Sequence, residues 1–366
     1  MIGRFELTYF RGFDSYVLDD LTRVNLLVGP NNSGKTTILE ALQLLANHGA
    51  PSILFKSTHR RGEALMPSNG QDADGRERDL HDLSHHFHGH RLEEGAWLGV
   101  KSDDDLGWIR LAIRQSRNEQ SQDLFDFDEG RLQTFVLDIS CSAHDSVELA
   151  VNDDGSLSLS PDVRRTLAAR SLSPTRPARF LAVDALRSRE LVEMWDKVQL
   201  EGREAEVVNA MRILEPDLTS IHFLSHRRFR GFGGSPGVLL GLRAGMPRIP
   251  MGSHGDGMRR LLGLSLALVD VSNGLLLADE IDTGLHWTAM EDLWRLVVES
   301  ACQSSLQVFA TTHSYDCIRG LASLLQSRPE LSDAVSIHKI ERSLGSAIPF
   351  SGEQIVTAVE QEIELR

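Results

Sequence analysis

Cysteine is scarce. Only Cys141, Cys302 and Cys317 occur in 366 residues, with no paired spacing. This excludes a disulfide framework and suits a reducing cytoplasm. No stretch of roughly 18 or more apolar residues exists, so no membrane-spanning helix is expected. The start, "MIGRFELTYFRGF", has neither an apolar signal core nor a cleavage pattern. No internal repeat is present, and sustained heptads are missing, which excludes a long coiled coil. Positive charge is the minority: 38 Lys and Arg stand against 52 Asp and Glu, a formal net charge of −14. A nucleic-acid coat would be basic, so the bulk charge argues against one and leaves only a local groove open. "RSR" at 187–189 and "HRRFR" at 226–230 are the local basic candidates, against the plainer reading of solvated helix or hairpin ends. What remains is an ordinary globular composition, 41% hydrophobic and 25% charged, with enough chain for one large domain with insertions or for two lobes.

The apolar patterns alternate between strand and helix. "FELTYFRGF" and "VNLLVG" read as strands within the first 28 residues, and the second stops at Gly29. Ile38, Leu39, Leu42 and Leu45 then recur at helical spacing over 35–47. A polar stretch from about 56 to 95 reads as an insertion with mobile parts. Short alternating runs between about 96 and 160 predict an antiparallel β layer. Residues 188–215 predict amphipathic helix, halted by Pro216. Beyond "PMGSHGDGMRRLLGL" come a helix, the apolar run "GLLLADE", a helix around "MEDLWRLVVES", the strand "QVFATTH" and a closing strand–turn–helix unit.

Two motifs carry chemistry on their residues alone. "GPNNSGKTT", Gly29 to Thr37, fits G-x-x-x-x-G-K-[ST] between a buried strand and an amphipathic helix. Glycines allow close backbone approach to phosphate, and successive N–H groups at a helix start supply donors. Lys35 would reach the β- and γ-phosphates, and the Thr36 hydroxyl would take Mg²⁺. "LLLADEID" ends a buried strand on Asp279 and Glu280. Asp279 is the expected metal-binding carboxylate and Glu280 the expected general base, since burying two unpaired acids for capping alone would be costly. Asp282 either caps the next helix or belongs to the site.

The order "GPNNSGKTT", "GSHGDGMRRLLGL", "LLLADEIDTGLH", "VFATTHS" resembles the ABC-class ATPases of the SMC, RecF and OLD type, and among them the stand-alone bacterial AAA-family ATPases with an OLD-like core. The resemblance implies an α/β P-loop NTPase of the ABC ATPase head type, with a mixed central sheet, an antiparallel β layer and a helical lobe. It implies a first lobe split between 1–184 and 263–366, and a second lobe with the signature loop at 185–262. It also implies ATP and Mg²⁺ as cofactors, and a homodimer or higher oligomer that sandwiches ATP between heads. In such a composite site Gly29, Asn31, Asn32, Ser33, Gly34, Lys35, Thr36 and Thr37 bind nucleotide in one chain. Ser253, Gly255 and Gly257 of the other chain meet its γ-phosphate. His254 and Asp256 depart from the usual signature form. Asp282 then falls on the D-loop, and His313 matches the switch histidine. Arg11 matches an arginine that can lie near phosphate or DNA; a strand-end surface cation is the alternative.

Five histidines between His81 and His90 include two i, i+4 pairs, open to a metal-binding helix face or to a structural segment. Trp195, Trp287 and Trp294 read as core or dimer-packing residues. The expected function is a cytoplasmic Mg²⁺-dependent ATPase that couples ATP binding and hydrolysis to a separate effector, a nuclease or toxin, in bacterial anti-phage defence. The alternative is a RecF- or SMC-like ATPase that grips DNA in repair.

Overall fold

The structure is a computed structural model and describes residues 1–65, 80–115, 133–152, 155–157, 176–183, 188–224, 237–243 and 246–366. The chain opens with an antiparallel hairpin, β1 (Phe5–Phe10) and β2 (Phe13–Leu18), followed by β3 (Val24–Val28). Two helices follow, α1 (Lys35–Ala46) and α2 (Pro51–Arg61), then the short strands β4 (Ala64–Leu65) and β5 (Leu80–Asp82). The strands β6 (Trp97–Ser102), β7 (Trp108–Gln115), β8 (Gln133–Cys141) and β9 (Val147–Asn152) extend the first hairpin into a six-stranded antiparallel sheet, ordered β2-β1-β6-β7-β8-β9. Short β10 (Ser156–Leu157) pairs with β5.

The second half supplies β11 (Ala178–Leu181), α3 (Ser188–Leu200), α4 (Glu204–Met211) and a small antiparallel sheet of β12 (Ser220–Phe223), β13 (Val238–Gly241) and β14 (Ile249–Pro250). Then come α5 (Asp256–Asp270), β15 (Leu275–Ala278), α6 (Met290–Gln303), β16 (Gln307–Thr311), α7 (Tyr315–Ser327), β17 (Val335–Lys339), β18 (Ile348–Ser351) and α8 (Gly352–Glu360). The central sheet is ordered β11-β15-β16-β3-β17-β18; all its pairs are parallel except the last. It is thus a mixed α/β sheet, and the antiparallel sheet forms a second layer.

Burial explains the composition of these elements. Every residue of β3, β15 and β16 is buried, because both faces of the central sheet are covered. On one face Leu27, Leu275, Leu277 and Phe309 join the antiparallel sheet and α1 in a common core. On the other, Leu26, Val28, Leu276 and Val308 pack with residues of α3 to α8. Helix α1 contributes Ile38, Leu39, Ala41, Leu42, Leu44 and Leu45 to the first core and is apolar over most of its surface for that reason.

One expectation needs correction. The polar stretch placed from about 56 begins inside α2, which buries Ile53, Leu54, Ser57 and Thr58 while Arg60 and Arg61 reach Gln43 and Glu40 of α1. Pairing with another helix, not an apolar stripe, holds its last turn. Beside its helices the 185–262 region carries the small β12–β14 sheet, whose strands of four residues or fewer are too short for a clear alternation.

A buried polar cluster crosses β3 and β17. The Ser336 hydroxyl lies 3.1 Å from Asn25 Oδ1 and 2.8 Å from His338 Nε2. Burial pushes the His338 imidazole down from its ordinary 6.5 to about 4. Between those values the unfolded chain binds the extra proton, so stability falls as pH drops through this window. We expect unfolding free energy to decline by up to about 3 kcal/mol on this account, and the His338→Gln chain to show a shallower slope in urea titrations between pH 6.5 and 4. Equal slopes for the two chains would contradict it.

Candidate active site

The phosphate loop joins β3 to α1. Gly34 has φ +102°, and a Cβ there would lie 2.3 Å from Phe13 Cζ. A side chain at this turn is therefore excluded twice, by strain and by the ring packed behind it. Arg342, from the connection between β17 and β18, donates through Nε to the Ser33 carbonyl at 3.0 Å and stands over the Phe13 ring. Asn31 and Asn32 are exposed on the loop, and Asn32 is itself left-handed at φ +62°. Ser33 Oγ is buried without a hydrogen-bond partner among the described residues. Helix α1 starts with neither a side-chain cap nor an acid in its first turn, leaving donors and the positive end of its dipole available to an anion. Lys35 Nζ donates to the carbonyls of Gly29 at 2.8 Å and Pro30 at 3.0 Å. Burial lowers its pKa, and the nearby Glu280 and Asp279 act in the opposite sense.

Strand order brings the acids to this loop. β16 pairs with β3 on one side and β15 on the other, all parallel, so the loops after the three strands open at one edge. Thr36 Oγ1 lies 3.0 Å from both carboxylate oxygens of Asp279, across 243 residues of chain. Thr311 Oγ1 donates to Asp279 Oδ1 at 2.7 Å and accepts the Glu280 N–H at 2.8 Å. Glu280 is left-handed at φ +49°, and its Oε2 is 2.5 Å from His313 Nδ1. His313 is 60% exposed and Glu280 21%, so the pair faces the opening and not the core. Thr36 and Asp279 offer adjacent hard oxygen donors, a set that fits Mg²⁺.

A family model described as "AAA domain, putative AbiEii toxin, Type IV TA system" matches residues 24–316, a span that runs from β3 past His313. The chain belongs to this family. It is an AAA-family ATPase. It is also 20% identical over 355 residues to a Helicobacter pylori protein named ATP/GTP phosphatase, covering 90% of this chain and 89% of that one. Solved structures with similarity include an Smc head bound to the C-terminal winged-helix domain of ScpA. That head is 15% identical, with 96% of this chain and 98% of that one covered and a TM-score of 0.47. Another is the SMC head domain from Thermotoga maritima, 13% identical, with 96% and 98% covered and a TM-score of 0.40. No helix among the described residues of the ATPase is long and apolar enough to cross a membrane.

The remaining expected residues of the ATPase lie elsewhere. Ser253 sits in a 3₁₀ turn, Met251–His254, and is exposed. Gly255, at φ +82°, turns the chain into α5. Gly257 abuts the Asp282–Leu285 loop; a Cβ there would lie 2.4 Å from the Gly284 carbonyl oxygen. Among the described residues no hydrogen bond or ion pair joins residues 253–257 to the phosphate loop of the same chain. The two residues that depart from the expected signature form have local roles: His254 Nδ1 is 3.5 Å from Glu215, and Asp256 places its acid in the first turn of α5. Asp282 does not cap a helix. It accepts the Thr312 hydroxyl at 2.7 Å, which ties its loop to the end of β16.

Arg11 is neither a surface cation nor free for phosphate or DNA. It is 4% exposed and ion-paired with Glu40 and Glu63, each at 2.9 Å, because the β1–β2 turn packs against α1 and α2. Of the basic stretches, Arg187 and residues 226–230 lie outside the described residues. The histidine run forms two short 3₁₀ turns and no i, i+4 face: His85 meets Asp82 and His90, His88 meets the Arg11 carbonyl, and His86 is buried. No group of three potential metal ligands occurs there among the described residues. Trp195 and Trp294 are core residues, whereas Trp287 is 63% exposed.

Sequence reading passed over Thr311, Arg342 and Arg61. Arg61 pairs with Glu40 and donates to Thr37 Oγ1 at 3.2 Å, next to the phosphate loop. The only sequence signal for Thr311 is the doubled threonine before His313. Thr311→Val removes two buried hydrogen bonds at unchanged volume. It should cost about 1–3 kcal/mol in stability and lower ATP turnover, while Thr311→Ser retains both. Thermal melts and steady-state phosphate release check this; a Val chain that matches wild type in both would contradict it.

Proposed function

We propose that the ATPase completes its catalytic site only between two copies of the chain, and that pairing and separation of the copies act on a distinct effector protein. The observation that carries this reading is the meeting of Thr36, Asp279, Glu280 and His313 at one edge, with Ser253 and Gly255 exposed and Gly257 half-buried at the start of α5, none of them hydrogen-bonded or ion-paired to the phosphate loop of the same chain among the described residues. Lys35 exchanges its carbonyl partners for β- and γ-phosphate oxygens, and the partnerless Ser33 hydroxyl gains one. Thr36 and Asp279 would hold Mg²⁺, which when bound offsets the charge on the phosphates.

Glu280 accepts the proton of the attacking water, and His313 holds its carboxylate in place. The Ser253 hydroxyl and the N–H groups of Gly255 and Gly257 of one copy meet the γ-phosphate held by the other. Asp282 and its loop lie against Gly257, so this face would form the contact between copies. The family description names a toxin of a toxin–antitoxin system, which supports an output in bacterial defence through a nuclease or toxin partner. The burial of Arg11 removes one support from the DNA-clamp alternative.

Mixing tests the shared site. Lys35→Ala and Ser253→Arg chains, each inactive alone, should regain ATP hydrolysis when combined, up to one working site per mixed dimer. No recovery, with mixed dimers shown by native mass measurement, would contradict a shared site. The defence role predicts fewer phage plaques on cells carrying the wild-type gene with its neighbours than on cells carrying Lys35→Ala; equal counts would remove that role.

A further inference from the structure

Arg260 lies one turn into α5, three residues beyond Gly257, and points inward. It is 8% exposed. Its guanidinium donates to the carbonyls of Ala182, at the end of β11, and of Asp279, and at 3.0 Å to that of Glu280. Among the described residues no carboxylate comes within ion-pair distance of it. A buried guanidinium ordinarily meets an acid, because an uncompensated charge is costly. Here the side chain passes over Asp279, Glu280 and Asp282 only as a field and binds the backbone that carries the first two.

That backbone needs holding. A non-glycine residue at φ +49°, as at Glu280, is strained and persists where its surroundings over-determine it. Four contacts do so: the N–H on Thr311, the carbonyl on Arg260 and on the Thr283 N–H, and the carboxylate on His313. Thr311 and His313 both come from the end of β16. Arg260 alone comes from the helix that begins at the signature loop. The planar fork holds three carbonyls at once, so a shift of α5 larger than the side-chain stem absorbs pulls on at least one of them.

We propose that Arg260 is a positioning residue that ties the backbone of Asp279 and Glu280 to the helix bearing Ser253, Gly255 and Gly257, so that engagement of those three residues is registered at Glu280 of the same chain. The positioning part rests on the assignment of Glu280 as the base, and the coupling part on the shared site proposed above. In a two-site dimer the link makes occupancy of one site felt at the other.

Full-length Arg260→Met and Arg260→Lys separate these parts. Both should bind a fluorescent ATP analogue within about threefold of wild type, while kcat falls about 100-fold in Met and about tenfold in Lys with KM little changed. Should Arg260→Met fail to fold, Arg260→Lys, which keeps a buried cation, carries the comparison. Turnover within threefold of wild type would overturn the positioning role. So would parallel loss of binding, turnover and melting temperature, the pattern of a merely structural residue.

Coupling is read in mixed dimers where one chain is Glu280→Gln, so that only the other hydrolyses. Ser253→Arg placed on the hydrolysing chain should lower its own rate, although its site draws its signature loop from the partner. Adding Arg260→Lys to that chain should abolish the difference. A difference that persists would overturn the coupling. If no dimers form with ATP, the shared-site reading fails, and the single-chain comparison still decides whether Arg260 positions Glu280.

Discussion

The contact between Thr36 and Asp279 depends on one constraint: β16 must lie between β3 and β15. Three parallel strands in that order place the phosphate loop, the two acids and His313 at a single edge, although they are scattered over most of the chain. Parallel strands require crossovers, and the crossovers here are long enough to carry the antiparallel layer and the α3–α5 region. Both faces of the sheet are then covered. This is why β3, β15 and β16 are uniformly apolar, and why the polar chemistry begins only where they end.

Around that edge the protein holds its polar groups by short chains of contacts. Thr311 serves two neighbours at once, taking the Glu280 N–H and giving its proton to Asp279. Thr312, next in line, fixes Asp282. From the opposite side Arg342 and Phe13 brace the phosphate loop, and Arg260 fixes the carbonyls behind the acids. The left-handed Glu280 lies where these supports converge. At the start of α5 the glycines serve local geometry: Gly255 turns the chain, and Gly257 admits the Gly284 backbone.

Arg11 and the histidine run show how burial changes a residue's meaning. In the sequence Arg11 ends an aromatic strand and looks free. In the fold it closes an ion-paired cluster with Glu40 and Glu63, and a buried arginine so paired is not available to a diffusing ligand. The histidines at i, i+4 spacing suggest a helix face, but extended Phe87 separates two 3₁₀ turns, and Gly89 at φ +80° distorts the second, so no continuous helix aligns the rings. Spacing informs only where the backbone is known.

Much of the fold was legible from local pattern. The phosphate loop needs its glycines, lysine and threonine in consecutive positions. Buried strands need unbroken apolar runs, and α1 needs its helical periodicity. Those requirements are local, so the residues that meet them stand together in the chain. What only the tertiary structure decided was non-local: the neighbours of β16, the second role of Thr311, the inward turn of Arg260, the burial of Arg11 and the pairing of α2 with α1. Each depends on which distant segment supplies a hydrogen-bond partner or excludes water. No residue carries that information by itself, because a side chain's charge and donors are the same whether it faces solvent or another strand.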